Sequence, residues 1–498
     1  MARVHHLLLL LLICCGCKAS SSARLSTQGC PYSSFRAEAS VAETPSSRPS
    51  PNHAKDEIRQ VSVELMEPEE LPPARQDLGD ARGSISLLSA VSLALAQNPD
   101  LVALRQTERV GVAAYGVART YPFNPFVQVQ ATPYQDLPGE NSGTTAHYVL
   151  LMQRIQLAHQ QQHREDAGAA SLNGIRWNIH QAELQTLSLT TQLYFALLYQ
   201  RGLLEVAQAS QENNQQLLDV VVKRFEGGDV SAADVATVRV DTRATLQQLR
   251  LAEANYQSAF RDLLRQLGMP PASAHDFAGD LTAFCWQLPN GESSHSAADD
   301  FPAEPARLAS HDIAWVKSWA ASRPDVLTAH ANIDLARANL RLATANRVPD
   351  VQLGPYYQRN PDGMTHLGFR AEMNLPIIDS GRPMEAQRAA EFGQQTTVWR
   401  QTLLRAELEA QAAFERYELA YHALVKEADD DLGKLPLELE SLERQFREGE
   451  VDVVRVIQAR TSILQSQRAR LDLLNELAQS AALLIGATGM PLEMLVSP

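Results

Sequence analysis

Few residues in this chain are placed to do covalent chemistry. His159 and His163 stand four apart, the helical spacing that brings two imidazoles to one face, as in many zinc sites. No third ligand lies near them and they fall at a helix start, so they read as a solvated pair. Asp429, Asp430 and Asp431 form an acidic run that would attract cations, although on a long wet helix such a run reads as a solvated face. There is no glycine-rich phosphate loop and no nucleophile with its base. The sequence therefore predicts a non-enzyme with no cofactor and no metal. The N-terminus carries a different signal. Arg3 precedes an apolar stretch from Leu7 to Ile13, too short to span a bilayer, which ends in Cys14-Cys15-Gly16-Cys17. This is a secretory signal pattern.

Composition sets outer limits. The chain has 498 residues, 45% apolar and 20% charged, with a net charge of −14. That balance argues against a nucleic-acid footprint, which is usually basic. The apolar content argues against wholesale disorder. Five cysteines are too few for a disulfide framework; a pairing of Cys30 with Cys285 has no support. No run of 18 apolar residues follows the N-terminal stretch, so no internal transmembrane helix is expected. Composition alone reads as a large soluble protein of about three domains. Residues 18–80, rich in Ser, Pro, Ala and acidic residues, show no apolar face and read as a tether.

Self-similarity changes that picture. FEGGDV (225–230) aligns with FREGEV (446–451), and at the same offset Leu267-Gly268-Met269-Pro270 falls on Thr488-Gly489-Met490-Pro491. Upstream, Asn98-Pro99-Asp100 aligns with Arg323-Pro324-Asp325. The chain divides into a signal (1–17), the tether (18–80), a first repeat (81–270), an irregular link (271–306), a second repeat (307–491) and a tail (492–498). Each repeat reads as a helix of about 35 residues, two strands, a very long helix, a glycine turn and another helix of about 35 residues. The first helices run from Ser84 to Arg119 and from Ser310 to Arg347. The very long ones cover about 160–225 and 381–446, and about 65 residues make a rod of roughly 100 Å. Their 3/4 spacing is that of coiled coils, with many Ala and Thr on the seam, which suits a thin wall.

The strands alternate. Val351, Leu353, Pro355 and Tyr357 interleave with Gln352, Gly354, Tyr356 and Gln358, and Val127 and Val129 interleave with Gln128 and Gln130. At about ten residues they have the length of transmembrane β-strands. A bilayer admits only helices and closed barrels, because backbone polar groups must be paired. Four strands do not close a barrel, so strands that enter a membrane require several chains to share one.

From about residue 84 to 491 this layout resembles the TolC-like outer membrane efflux proteins. The resemblance rests on the repeat, the element order, the glycine turns and the strand-to-helix corner Asn374-Leu375-Pro376-Ile377-Ile378-Asp379-Ser380-Gly381-Arg382. The first copy of the corner, Gln156-Leu157-Ala158-His159, lacks the Pro and the Asp-Gly. The resemblance implies a mainly α fold with a small β part. A homotrimer would close a twelve-stranded barrel in the outer membrane and a helical α-barrel in the periplasm. It also implies a passive exit duct of a tripartite efflux or type I secretion system, with a periplasmic adaptor and an inner-membrane transporter as partners.

Particular residues follow from it. The N-terminal stretch resembles a bacterial lipoprotein signal, in which Cys17 becomes the acylated mature N-terminus. Pro376, Asp379 and Gly381 make the corner. Gly228, Val230, Gly449 and Val451 lie at the tips that dock adaptor hairpins in the family, although plain helix-turn geometry also explains the glycines. Asp234 and Arg455, with Gln458 one turn on, are the aperture candidates; solvated surface charge is the alternative for them. A periplasmic coiled-coil adaptor or scaffold without a pore is the rival for the whole chain. The cargo is not encoded legibly.

Overall fold

Proline decides where the first helix of each repeat breaks. A proline cannot continue a helix from its N-terminal side but suits the first turn of a new one. The computed structural model describes residues 84–135, 144–271, 276–289, 310–429 and 441–497, apart from 443, 447 and 449. The expected signal with Cys17, the tether, Asp430, Asp431 and Gly449 lie outside the described residues. In the first repeat the expected single helix is two, α1 (Leu87–Gln97) and α2 (Pro99–Arg119), bent by 47°. Asn98 sits at the break, and its side chain accepts from the amides of Asp100 and Leu101.

Strands β1 (Phe126–Gln135) and β2 (Thr144–Ile155) follow, then α3 (Gln160–Glu226), whose 67 residues make a rod of roughly 100 Å. Past the tip, α4 (Ala232–Gln266) returns and stops at Gly268, whose φ of +70° suits a helix end. The second repeat breaks at Pro324 into α5 (Ser310–Ala321) and α6 (Pro324–Ala345). It continues through β4 (Val351–Arg359), β5 (Thr365–Met373), α7 (Arg382–Asp429) and α8 (Val453–Thr488), with Gly489 at φ +76°.

The link between repeats holds more structure than its composition suggests. Strand β3 (Cys285–Trp286) pairs antiparallel with β6 (Val496–Ser497), and Phe277 bridges Ile85. Phe277, Phe284 and Trp286 pack edge-on or tilted around Phe195 and Tyr194. Tyr194 donates its hydroxyl to the carbonyls of Ala278 and Ile85, at 2.6 and 3.1 Å. Tyr417 repeats the device in the other half, donating to Gln287 at 2.6 Å and Leu495 at 3.3 Å. The tail from Leu492 to Val496 is likewise packed, with Leu495 fully buried.

The layers are continuous. The sheet order is β1-β2-β4-β5, all antiparallel. Next to it the helices run in the matching order, with α2 on α3, α3 on α6 and α6 on α7. The packed link and tail form a belt, and on its other side α4 and α8 flank α3, and α7 flanks α8. Among the described residues no single helix is long and apolar enough to cross a membrane.

Candidate functional site

The sheet sorts its side chains by face. Strand side chains alternate, so cross-strand partners share a side. Through the observed register, Val129, Val149, Tyr357 and Leu367 form one row, and Phe369 opposite Pro355 continues that face. This face is apolar and open: Leu367 is 82% exposed and Phe369 86%. The other face carries Gln128, Gln130, Arg154, Gln352, Gln358, His366, Arg370 and Glu372. One wet and one greasy face on strands of nine to twelve residues is the pattern of a lipid-facing barrel wall.

The corners below the sheet turn strand into helix. Gly381 sits at φ +71°, and its carbonyl accepts from Glu385 N at 3.1 Å to start α7. A Cβ there would lie 2.8 Å from Arg347 Cγ, so glycine is also required for space. Asp379 Oδ1 accepts from the Gly381 amide at 2.9 Å, and Arg347 reaches Glu385 at 2.8 Å. Pro376 lies on an exposed ridge with Leu375, Ile377 and Ile378. The ridge borders a cleft of about 700 Å³ lined by Arg154, Asn346, Asp350 and Glu372.

The first-copy corner keeps this geometry without its motif. His159 adopts φ 59°, the left-handed conformation of Gly381, and its carbonyl accepts from His163 N at 3.2 Å. Gln160 Oε1 reaches back to accept from Ala158 N at 2.8 Å, whereas in the second copy Asp379 reaches forward to Gly381 N. A histidine in this conformation is uncommon, and no sequence signal marked it. His159 and His163 thus belong to a helix start, and no metal-holding group of three His, Cys, Asp or Glu exists among the described residues.

The tips come together in one core. Leu217, Val221, Val235 and Val238 of the first repeat pack with Phe446, Val453 and Val456 of the second, and Val230 is half-buried against them. The turns match: Asp229 N donates to Arg224 O at 2.9 Å, and Glu450 N to Gln445 O at 3.0 Å. Gly228 is exposed at φ +85°, and Val451 is half-buried. Asp234 closes a capping box: Oδ2 accepts from Ser231 N at 3.1 Å, and Asp234 N donates to Ser231 Oγ at 3.2 Å. Arg455 and Gln458 are exposed on the first turns of α8. Among the described residues Asp234 and Arg455 form no ion pair within the chain.

A ladder of polar ties links the repeats from the belt to the tip, and sequence reasoning missed it. Ser188 Oγ donates to Ala482 O at 2.7 Å, and Gln479 Nε2 to Gln192 O at 3.0 Å. Next come Tyr199 to Asp472 at 2.5 Å, Arg460 to Asn213 O at 2.8 Å and Arg224 to Phe446 O at 2.7 Å. The partners climb one strand of the ladder as they descend the other, so α3 and α8 hold one antiparallel register.

A model of the outer membrane efflux protein family matches residues 90–269. The chain is 25% identical over 338 residues to the pyoverdine export outer membrane protein OpmQ of Pseudomonas putida, covering 64% of this chain and 65% of that one. It therefore spans just under two thirds of that relative. The outer membrane channel CmeC of Campylobacter jejuni superposes with a TM-score of 0.62 at 15% identity, over 90% of this chain and 94% of that one. A structure of CusC, from work on its folding and transmembrane channel formation, gives 0.62 at 17% identity, over 81% and 92%. Residues 90–269 thus resemble the outer membrane efflux proteins, and the mainly helical fold with a small sheet is that of the TolC-like channels it superposes on.

Proposed function

We propose that the chain is one protomer of an outer membrane duct, through which solutes leave the periplasm without chemical change. One observation carries this reading. The described strands and helices form a slab with two different open edges, β1 with α2 on one side and β5 with α7 on the other. Unpaired strand edges cannot face lipid. Edges that differ join head to tail, and such contacts close into a ring when the rotation allows. Three slabs give twelve strands, enough for a barrel. The open flank of α2 shows Val102, Val110 and Val117, and that of α7 shows Leu404, Leu408 and Leu419, all exposed in the single chain.

The rest of the assembly follows from this reading. The paired tips around Gly228, Val230 and Val451, with Gly449, would dock a periplasmic adaptor, which joins the duct to an inner-membrane transporter. Cys17 would carry acyl chains that hold the N-terminus to the outer membrane. Asp234 and Arg455 would meet across chains at the aperture. The relative named for pyoverdine export supports an export role and leaves this chain's cargo open.

The test is assembly and conductance. The detergent-extracted outer membrane fraction should yield a heat-sensitive trimer that conducts in planar bilayers. A monomer in the soluble periplasm would instead favour an adaptor or scaffold without a pore.

A further inference from the structure

Barrel interiors are polar as a rule, but the wet face of this sheet carries three aromatic rings, two of them adjacent in its middle rows. Phe126, Tyr148 and Tyr356 share that face through the strand register. The rings of Tyr148 and Tyr356 lie 6.2 Å apart with planes 33° from parallel. Tyr356 stands opposite Gly368 on the neighbouring strand, and a Cβ at 368 would come within 2.7 Å of a Tyr356 ring carbon. The glycine therefore lets the ring lie across β5 instead of standing off the sheet. Phe126 is 57% exposed, while Leu150 and Met152 are buried on the same face.

Charge lies just below. Within the strands, this face carries Arg154 and Arg370 against one carboxylate, Glu372, which sits 3.4 Å from Arg370. Arg154 stacks over Phe123, 4.5 Å from the ring centroid, and forms no ion pair among the described residues. Asp350, one position before β4, takes a long contact of 3.5 Å from Gln160 Nε2. The strands thus present aromatic rings next to Arg154, a guanidinium with no ion-pair partner among the described residues.

We infer that this strip is a contact surface for cargo inside the duct, and that the solutes it favours are planar aromatic anions. The inference rests on the duct reading above and adds a substrate class to it. Flat rings stack on flat rings, and the Arg154 guanidinium, which has no ion-pair partner among the described residues, offers an anionic group a counter-charge beside them. Such contacts are weak and repeated around the ring of chains, which suits passage, because a conduit must release what it binds.

The experiment uses the trimer in planar bilayers with two probes of equal charge, 1-naphthalenesulfonate and ethanesulfonate. The aromatic probe should interrupt the current with measurable dwell times, and the aliphatic one should not. In Y148L/Y356L the dwell should shorten about two- to tenfold for each ring lost. R154Q/R370Q should slow the rate of blocking. F126L gives the same test with one ring removed, should the double leucine variant fail to run as a trimer. Equal blocking by both probes, or dwell times unchanged by ring removal, would overturn the inference. A trimer that does not conduct at all would overturn the duct reading instead.

Discussion

Arg224 of the first repeat closes over Phe446 of the second. Its Nη1 donates to the Phe446 carbonyl at 2.7 Å, and the guanidinium carbon lies 5.0 Å from the ring centroid. This is the last rung of the ladder, and it holds the two tips as one body. Removing it costs a charged hydrogen bond of about 1.5–3 kcal/mol and a cation–π contact of about 0.5–1 kcal/mol. Arg224→Ala should therefore loosen the tip and raise single-channel conductance, while the trimer still assembles. Conductance equal to wild type would show that the tips are held elsewhere.

The aperture candidates separate by role. Asp234 closes the capping box of α4 on its N-cap Ser231, so Asp234→Ala should lower stability by about 1 kcal/mol in urea melts. Arg455→Ala, on an exposed turn, should leave stability unchanged. If the two residues also hold the aperture across chains, Asp234→Asn with Arg455→Gln raises conductance. An unchanged current would end the gate assignment.

The belt tyrosines predict an alkaline limit. Burial pushes the Tyr194 phenol up to about 12 from an ordinary 10.0. Tyr199 is also raised to about 12, by burial and by its bond to Asp472. A group whose folded pKa is raised stabilises fully below its unfolded value and loses that contribution as pH climbs to the folded one. Melting temperature should therefore fall between about pH 10 and 12. Tyr194→Phe should flatten part of that slope and cost about 1–3 kcal/mol at neutral pH, since two carbonyls lose their donor. A slope identical in the variant would refute the assignment.

The corners predict opposite effects from mirror substitutions. His159→Gly should gain up to about 1 kcal/mol, because glycine adopts the left-handed conformation freely. Gly381→Ala should lose more than that, since strain and the contact with Arg347 Cγ at 2.8 Å add. Chemical denaturation of both variants reads the difference in sign.

Arg323 and Asn98 do the same job by different chemistry. Asn98 Nδ2 donates to Gln266 O at 3.0 Å, and Arg323 Nη1 donates to Ala487 O at 3.2 Å, the matching carbonyl of the other repeat. Arg323 is 7% exposed and also pairs with Asp325 at 2.7 Å and Glu409 at 2.8 Å. Although burial opposes its charge, the bonds to both carboxylates hold its pKa above the ordinary value. Arg323→Ala should cost about 3 kcal/mol, the low end for a broken buried pair because Glu409 is half exposed. Arg323→Asn should recover part of that loss, and the same melt reads both.

The sequence showed most clearly what repeats. The Gly-Met-Pro stops, the tip turns and the two-residue alternation of the strands all fall where the structure has them, because glycine, proline and side-chain period act locally. The helix breaks at Pro99 and Pro324 were also local, and a stricter use of proline would have placed them. His159 was illegible, since its left-handed turn is imposed by the corner around it. The link from 271 to 306 read as irregular, although Phe277, Phe284 and Trp286 within ten residues were a packing signal. The ladder between α3 and α8 could not be read at all, because it joins residues more than two hundred positions apart through single side chains.

The belt has a topological consequence. Ile85, near the start of the described residues, bridges Phe277, and Ser497, at their end, pairs with Cys285. Both ends of the described stretch are thus clasped to one length of link, and the path between them is almost a closed loop. A cut in that stretch, with the old ends spliced together, would leave every rod and strand where it was. The two halves behave as interchangeable modules sharing one clasp, and expressed as separate polypeptides they should find each other there and restore the whole wall.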